Sequence, residues 1–142
     1  MFTTTTEPRI YEGITVEEMR DLLSEEGYRA KLDQAGDKPV LRSSTGGTKF
    51  SVRFYGLSST SNKATSITFV AYFTTDMKGT RALDAVNKWN DSKRFARAII
   101  DSDGDLVVDA DVLLGKGITR AQMLATLEFW CSLLDTFRTT DL

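Results

Sequence analysis

The chain has 142 residues, the usual length of one domain, and 41% of them are hydrophobic, enough for a core that needs no disulfide or metal. Its 18 basic and 20 acidic residues give a net charge of -2, so it lacks the basic excess that is typical of nucleic-acid binders. It contains no histidine, which removes the commonest general base, the usual partner of a nucleophilic serine or cysteine, and histidine metal ligands.

The expected location follows from what the chain lacks. No apolar run approaches the ~20 residues that cross a bilayer. Residues 1–7 have neither the positive start nor the apolar stretch of a secretory signal. The single cysteine, Cys131, cannot form an internal disulfide, and its apolar neighbours favour a buried structural thiol. We therefore predict a cytoplasmic protein with no membrane partner.

The first helix is predicted over residues 16–26. Thr15 is a suitable N-cap, and Glu18, three residues later, is its capping-box partner. Gly27 is suited to end the helix. An apolar stripe at helical spacing lies between these signals, formed by Val16, Met19, Leu22 and Leu23.

The pattern then changes to the alternation that is typical of strands. Four segments show it, at residues 28–33, 40–43, 49–57 and 66–73. The links between them are too short for crossover helices, which indicates an antiparallel meander. Pro39 has no backbone donor and indicates that the second segment is an edge-like strand.

A second helix, two strands and a third helix complete the chain. The second helix is predicted over roughly residues 80–90, and the strands over residues 95–100 and 106–113. Asp103 and Gly104 between the strands are typical of a hairpin turn. The last helix begins at Thr119, with Gln122 as its capping partner and with an apolar stripe formed by Met123, Leu127, Trp130, Leu134 and Phe137.

These elements predict an α+β domain. Alternating strands indicate a sheet that is buried on one side, so the helices should cover one face of an antiparallel sheet of about five strands. The element order is α-βββ-α-ββ-α, with the division of residues 28–43 left open. We predict a flexible N-terminal tail over residues 1–13 and a single domain over residues 14–138.

Two segments resemble ligand-binding loops but lack the required spacing. Residues 101–105 begin like a calcium loop, but the glycine comes early, and Val112 occupies the place of the bidentate glutamate. Residues 44–49 contain the residue types of a phosphate loop, but a strand pattern follows them instead of a helix. We predict turns at both places, with no metal and no cofactor.

Two other groups carry weak functional signals. Asp109 and Asp111 share one face of a strand and are candidates for acid/base catalysis, but solvated surface charge is the favoured interpretation. Residues 88–97 interleave basic residues with Trp89 and Phe95, a pattern found in nucleic-acid binders. In an acidic chain we favour a structural role for these aromatic residues at the helix-to-strand corner, and no nucleic-acid partner.

Three groups of residues follow one another in the second half of the chain. They are Asn87-Lys-Trp89-Asn90 with Arg94-Phe95-Ala-Arg97, then Asp103-Gly104-Asp105-Leu106, then Gly117-Ile118-Thr119. This succession resembles the YbjN-like family, described as putative bacterial sensory-transduction regulators. The resemblance covers residues 14–137 and is strongest from Asn87 onward.

The resemblance implies a fold similar to that of type-three-secretion chaperones. That fold consists of a helix, a three-stranded meander, a helix, a two-stranded hairpin and a helix. Proteins with this fold are small, acidic and usually homodimeric, and they hold unfolded segments of partner proteins. The family supplies no catalytic residue set, so none is transferred to this chain.

We therefore predict a non-enzymatic protein-binding module, chaperone-like or an adaptor or regulator in a bacterium. It would act as a homodimer with an unidentified protein partner. By fold resemblance, the middle helix makes the self-contact through Leu83, Val86 and Trp89, with the last helix as the rival seam. Tyr55 and Tyr72, on the less buried face of the sheet, are candidate partner contacts.

Two alternatives from other functional classes stay open. One is a small-ligand sensor domain, which would use a cavity between the sheet and the C-terminal helix. The other is an enzyme that works with the carboxylates of Asp109 and Asp111.

Overall fold

The computed structural model describes residues 9–138 and residue 142. The described elements, in chain order, are β1 (Ile10–Tyr11), α1 (Val16–Glu25), β2 (Lys31–Ala35), β3 (Lys38–Thr45), β4 (Thr48–Tyr55), β5 (Ser66–Phe73), α2 (Gly79–Ser92), β6 (Arg97–Ile100), β7 (Leu106–Leu113), β8 (Ile118–Thr119) and α3 (Arg120–Thr136). Strands β2-β3-β4-β5-β7-β6, in that spatial order, form an antiparallel sheet, and β1 pairs with β8. The predicted α+β class is confirmed, with one strand more in the main sheet. Within the described residues, no helix has the length and apolarity that crossing a bilayer requires.

α1 begins with the predicted capping box, and α3 begins with the predicted N-cap residue, Thr119. The Thr15 hydroxyl accepts a hydrogen bond from the Glu18 N–H at 3.0 Å, and the Glu18 carboxylate accepts one from the Thr15 N–H at 3.1 Å. At the start of α3, the Thr119 hydroxyl accepts from the Gln122 N–H at 3.0 Å. Each bond satisfies a backbone donor that the first helical turn leaves open.

The core lies between one face of the sheet and the apolar stripes of the helices. One row across the sheet consists of Leu41, Val52, Phe69 and Ala110. These side chains belong to the same buried cluster as Met19 of α1, Trp89 of α2 and Trp130 of α3. Because all three helices bury their stripes against this face, the prediction of helices on one side of the sheet is confirmed.

The start of β2 differs from the predicted strand. Gly27 has a positive φ of 88°, and the N–H groups of Gly27 and Tyr28 donate to the carbonyls of Ser24 and Leu23 at 3.1 and 2.9 Å. This ending of α1 uses residues 27 and 28, so the strand begins at Lys31. β2 is an edge strand because it pairs only with β3, and every one of its residues is exposed.

The prediction that Pro39 marks an edge strand is wrong. β3 pairs with β2 on one side and with β4 on the other. Pro39 is tolerated because the β3–β4 ladder begins only at Val40, which pairs with Arg53. Pro39 therefore lies just outside the interior ladder, where its missing N–H removes no bond to β4.

The predicted tail includes residues that belong to the fold. Ile10 pairs with Thr119 and Tyr11 with Ile118, and the side chain of Tyr11 is buried. A two-residue strand is too short to show a periodicity, so the sequence pattern could not reveal it. Residues 1–8 of the predicted tail lie outside the described residues.

Candidate functional site

The sheet face opposite the helices is here called the open face. Its side chains form rows across the strands, namely Tyr55-Ser66-Leu113, Arg53-Thr68-Asp111, Ser51-Val70-Asp109-Arg97 and Tyr72-Val107-Ile99. The rows mix charged, aromatic and aliphatic side chains. Tyrosine and arginine, which are among the residue types enriched at protein contacts, are represented there by Tyr55, Tyr72 and Arg53.

Asp109 and Asp111 lie on the open face, as the alternation predicted, but neither is a simple solvated charge. Asp109 is only 8% exposed, and its two oxygens accept hydrogen bonds from Arg97 at 2.8 and 3.3 Å. The bond to this carboxylate raises the pKa of the Arg97 guanidinium. The Asp111 carboxylate accepts a hydrogen bond from the Thr68 hydroxyl at 2.5 Å. Each carboxylate is therefore held by a separate neighbour on an adjacent strand.

The structure brings Tyr55 and Tyr72 together around Arg53. The Arg53 guanidinium donates to the Tyr72 hydroxyl, and its central carbon lies 5.7 Å from the centre of the Tyr72 ring. Burial lowers the pKa of Arg53, but hydrogen bonds to Tyr72 and Tyr55 outweigh this effect and raise it. Both rings remain partly exposed, so they are available to a partner on the open face.

The second half of β7, residues 110–113, has a free edge. β6 pairs only with residues 106–109, and just before β6 the chain changes direction at Phe95, whose φ is 71°. On the other side of β7, the pairing with β5 continues to Leu113. No other strand of the described residues lies along residues 110–113 on the β6 side.

The hydrogen-bonding direction of this edge follows from Ala98. Both the N–H and the C=O of Ala98 bond to the Asn90 side chain, at 2.8 and 2.9 Å, and so face away from β7. Directions alternate along an antiparallel strand, so Arg97 faces β7 and its partner Asp109 faces β6. By the same alternation, the N–H and C=O of Asp111 and Leu113 point toward the free edge.

An apolar groove of about 380 Å³ runs between this free edge and α3. Its apolar lining consists of Phe95, Ala110, Val112, Ile118, Ala125 and Phe129, together with Leu113 at its rim. Phe95 and Phe129 pack edge to face, with ring centres 5.6 Å apart. The side chains of Leu113, Phe95 and Phe129 are nevertheless 85%, 73% and 39% exposed. The groove therefore brings large apolar side chains to the surface.

Sequence reasoning missed Leu113 and Phe129. Leu113 shares the face of β7 that carries Asp109 and Asp111, and Phe129 lies outside the apolar stripe of α3. Each residue is thus an apolar side chain on the polar side of its element. That departure from the pattern is the signal that could have found them.

The residues that the sequence assigned to a dimer contact on α2 differ in exposure. Leu83 is 58% exposed, but Val86 and Trp89 are buried in the core of the same chain. Trp89 packs against Phe137, with ring centres 5.8 Å apart. Of these three residues, only Leu83 offers a side chain to another molecule.

A larger depression of about 590 Å³ lies at the β3–β4 end of the open face. Its basic side chains are Arg29, Lys31, Arg42 and Lys49. Arg42 is engaged by Asp33, which it contacts at 2.6 Å. This depression has four basic side chains in its lining, whereas the groove beside β7 has none.

The turn between β6 and β7 is the predicted hairpin. Asp101 accepts hydrogen bonds through Oδ1 from the N–H groups of Asp103 and Asp105, at 3.0 and 2.9 Å. Gly104 has a φ of 85°, which a glycine adopts without strain. The carboxylates of Asp101, Asp103 and Asp105 come within 4.8 Å of one another. The two hydrogen bonds to Asp101 close the turn.

Cys131 is buried, as predicted, in a small polar network beneath α3. Burial raises the pKa of its thiol. A hydrogen bond with Cys131, followed by burial, raises the pKa of Tyr28 to about 12. The Thr45 hydroxyl donates to Asp135 at 3.0 Å in the same region. This network connects β3 and the segment before β2 to the end of α3.

Comparison with known proteins connects this fold to a family. Residues 15–141 match the model of the YbjN family, described as "Putative bacterial sensory transduction regulator". The chain has no match among curated proteins. It is similar to a crystal structure of YbjN, a putative transcription regulator from E. coli, with a TM-score of 0.64 and 15% identity over 86% of this chain and 87% of that chain. At this identity the likeness shows a shared fold. Because the family model spans most of its length, the chain belongs to the YbjN family.

Proposed function

We propose that the chain is a non-enzymatic protein-binding module that serves as an adaptor or chaperone-like regulator in a bacterium. The observation that carries this proposal is the grouping of Leu113, Phe95 and Phe129, all exposed, around one groove. Single exposed apolar side chains are common on soluble proteins. A contiguous apolar patch that contains aromatic residues is typical of protein contacts.

The settings of Asp109 and Asp111 support a role without catalysis. A carboxylate pair works in acid/base chemistry when its environment keeps one group protonated and the other ionised. Here Asp109 is held by the Arg97 guanidinium and Asp111 accepts from the Thr68 hydroxyl. Each carboxylate is therefore engaged by its own neighbour within the sheet rather than paired with the other.

We also propose that the module acts as a homodimer through α2. Leu83 is a large apolar side chain on this helix and is mostly exposed, so its burial against a second copy would be favourable. The fold that the sequence resemblance implies, that of the usually homodimeric type-three-secretion chaperones, gives the same expectation. A self-contact on α2 leaves the groove beside β7 available to a partner.

A small apolar ligand is the alternative occupant of the groove. The groove lies between the sheet and the C-terminal helix, where the sensor hypothesis placed its cavity, and its volume of about 380 Å³ suits a small molecule. A protein segment is favoured because the large side chains around the groove are exposed rather than enclosed.

Selection from a library of random twelve-residue peptides displayed on phage tests the proposal. The protein is expected to enrich peptides that bind it in solution, and Phe129→Ser should weaken their binding. Leu32→Ser is the matched control, because it also exchanges an exposed apolar residue but lies on β2, outside the lining of the groove. Failure to enrich any peptide, or equal binding by both variants and the original protein, would contradict the proposal.

A further inference from the structure

We propose that the free edge of β7 receives an extended segment of the partner protein as an additional strand. The segment carries a basic residue opposite Asp111 and turns apolar side chains into the groove. This inference rests on the proposed function, because it specifies the binding mode and the chemistry of the protein partner.

The first argument is the unpaired backbone of Asp111 and Leu113. Their N–H and C=O groups point toward the free edge, and among the described residues no backbone or side-chain group bonds to them there. An extended polypeptide carries donors and acceptors at matching intervals, so it satisfies both residues at once. A small apolar ligand has no such pattern.

The second argument is the contrast with the other edges of the same sheet. The outer edge of β6 is covered at Ala98, where the Asn90 side chain bonds to both backbone groups. The outer strand, β2, is fully exposed and carries Lys31 and Asp33, the charged type of edge that discourages pairing. The free part of β7 has an apolar groove beside it instead, which favours pairing.

The third argument concerns the two faces of the added strand. Side chains opposite Ala110 and Val112 would point to the helix side of the sheet, because cross-strand partners share a face. On that side they would enter the groove, whose walls include Phe95 and Phe129. These positions therefore favour apolar residues.

The fourth argument is the charge of the open face. Arg97 lies directly opposite Asp109 and forms an ion pair with it at 2.8 Å. Asp111 is the next residue of β7 on this face, and it forms no ion pair with the described residues. A lysine or arginine opposite Asp111 would form the same kind of pair as Arg97 with Asp109, two residues further along β7 on the same face.

A second copy of this chain fits the edge less well. In a two-fold antiparallel pairing of free edges, Asp111 lies opposite Asp111, Leu113 or Gly115 of the other copy, depending on the register. None of these residues is basic, and the first register places like charges opposite each other. The charge pattern thus favours a different protein as the donor of the strand.

Synthetic peptides test the binding mode directly. The probe is a fluorescently labelled Ser-Thr-Leu-Val-Lys-Val-Thr-Ser peptide, which in antiparallel pairing places its leucine opposite Leu113 and its lysine opposite Asp111. N-methylation of the lysine amide, which faces β7, should weaken binding by at least about tenfold. N-methylation of the valine that follows the lysine is the matched control, because that amide faces away from β7, and it should change binding by less than about twofold.

The charge pairing is tested with a second peptide in which glutamate replaces the lysine. The original protein should prefer the lysine peptide by about five- to tenfold, and Asp111→Lys should reverse the preference. Asp103→Lys makes the same charge change in the turn at the other end of β7 and should leave the preference unchanged. The comparison of N-methylated peptides uses the original protein, so it tests strand addition even if Asp111→Lys does not fold.

Three results would overturn the inference. Equal binding of both N-methylated peptides would show that the backbone edge is not used. Absence of binding by the lysine peptide at millimolar concentration would exclude the proposed chemistry, and loss of self-association in Asp111→Lys would assign the edge to a second copy. If phage-selected peptides still bind in any of these cases, the protein-binding function stands and strand addition alone fails.

Discussion

The contact between Asn90 and β6 yields a quantitative prediction. The Asn90 side chain accepts a hydrogen bond from the Ala98 N–H at 2.8 Å and donates one to the Ala98 C=O at 2.9 Å. Ala98 is buried, so Asn90→Ala leaves two backbone groups without partners. At ~0.5–1.5 kcal/mol for each bond, the free energy of unfolding should fall by about 2 kcal/mol.

Asn87→Ala is the matched control for this measurement. Asn87 is an exposed residue on the same helix, so its replacement should change the free energy of unfolding by less than about 0.5 kcal/mol. Urea unfolding followed by circular dichroism measures the free energy of unfolding of both variants. The slope of this free energy against urea concentration should stay unchanged if the folded and unfolded states keep their compactness. Equal effects of the two substitutions would refute the assignment of Asn90 as the cover of the β6 edge.

The same variant has a consequence for the exposed edges of the sheet. Asn90→Ala leaves the outer edge of β6 uncovered in addition to residues 110–113 of β7. Uncovered edges promote pairing between chains. We therefore expect Asn90→Ala to aggregate at lower concentration than Asn87→Ala, as measured by light scattering.

Other parts of the structure give further expectations. The pKa of Tyr28 is raised from 10.0 to about 12, so the stabilising contribution of this residue is complete below pH 10 and is lost as the pH rises toward 12. In urea titrations across this pH range, Tyr28→Phe should therefore lose less stability with rising pH than the original protein. Arg97→Gln should lower the free energy of unfolding by about 1 kcal/mol, because Arg97 is mostly exposed although Asp109 is buried. Adding Asp109→Asn to that variant should restore part of the loss, and equal stability of the single and double variants would contradict the ion pair. In light scattering at high micromolar concentration, the original protein should be a dimer and Leu83→Glu a monomer; a monomeric original protein would contradict the homodimer.

Local signals in the sequence were enough to predict most of the secondary structure. The capping box at Thr15 and Glu18, the N-cap at Thr119 and the Asp103-Gly104 turn each involve residues within four positions of one another. Interactions of such short range are encoded in neighbouring residues and need no knowledge of the rest of the fold. The α+β class followed because the period of the apolar residues changes from segment to segment.

Features that depend on the pairing of segments distant in the chain could not be predicted from the sequence. β1 exists only because Ile10 and Tyr11 meet β8, more than a hundred residues away in the chain. Pro39 was misjudged because the extent of the β3–β4 ladder depends on two strands rather than on one. Which residue of α2 reaches β6 depends on how the helix is rotated against the strand, and in the structure that residue is Asn90.

The candidate site shows most clearly which features depend on neighbouring residues and which depend on distant segments. The sequence by itself determined that Leu113 and Asp111 lie on one face of a strand and that Phe129 lies off the core stripe of a helix. Only the tertiary structure decided that β6 begins at Arg97, so that Asp111 and Leu113 keep an unpaired edge beside Phe129. The physical reason is that burial and edge pairing are properties of the assembled sheet, since they depend on which segments reach a strand and which do not.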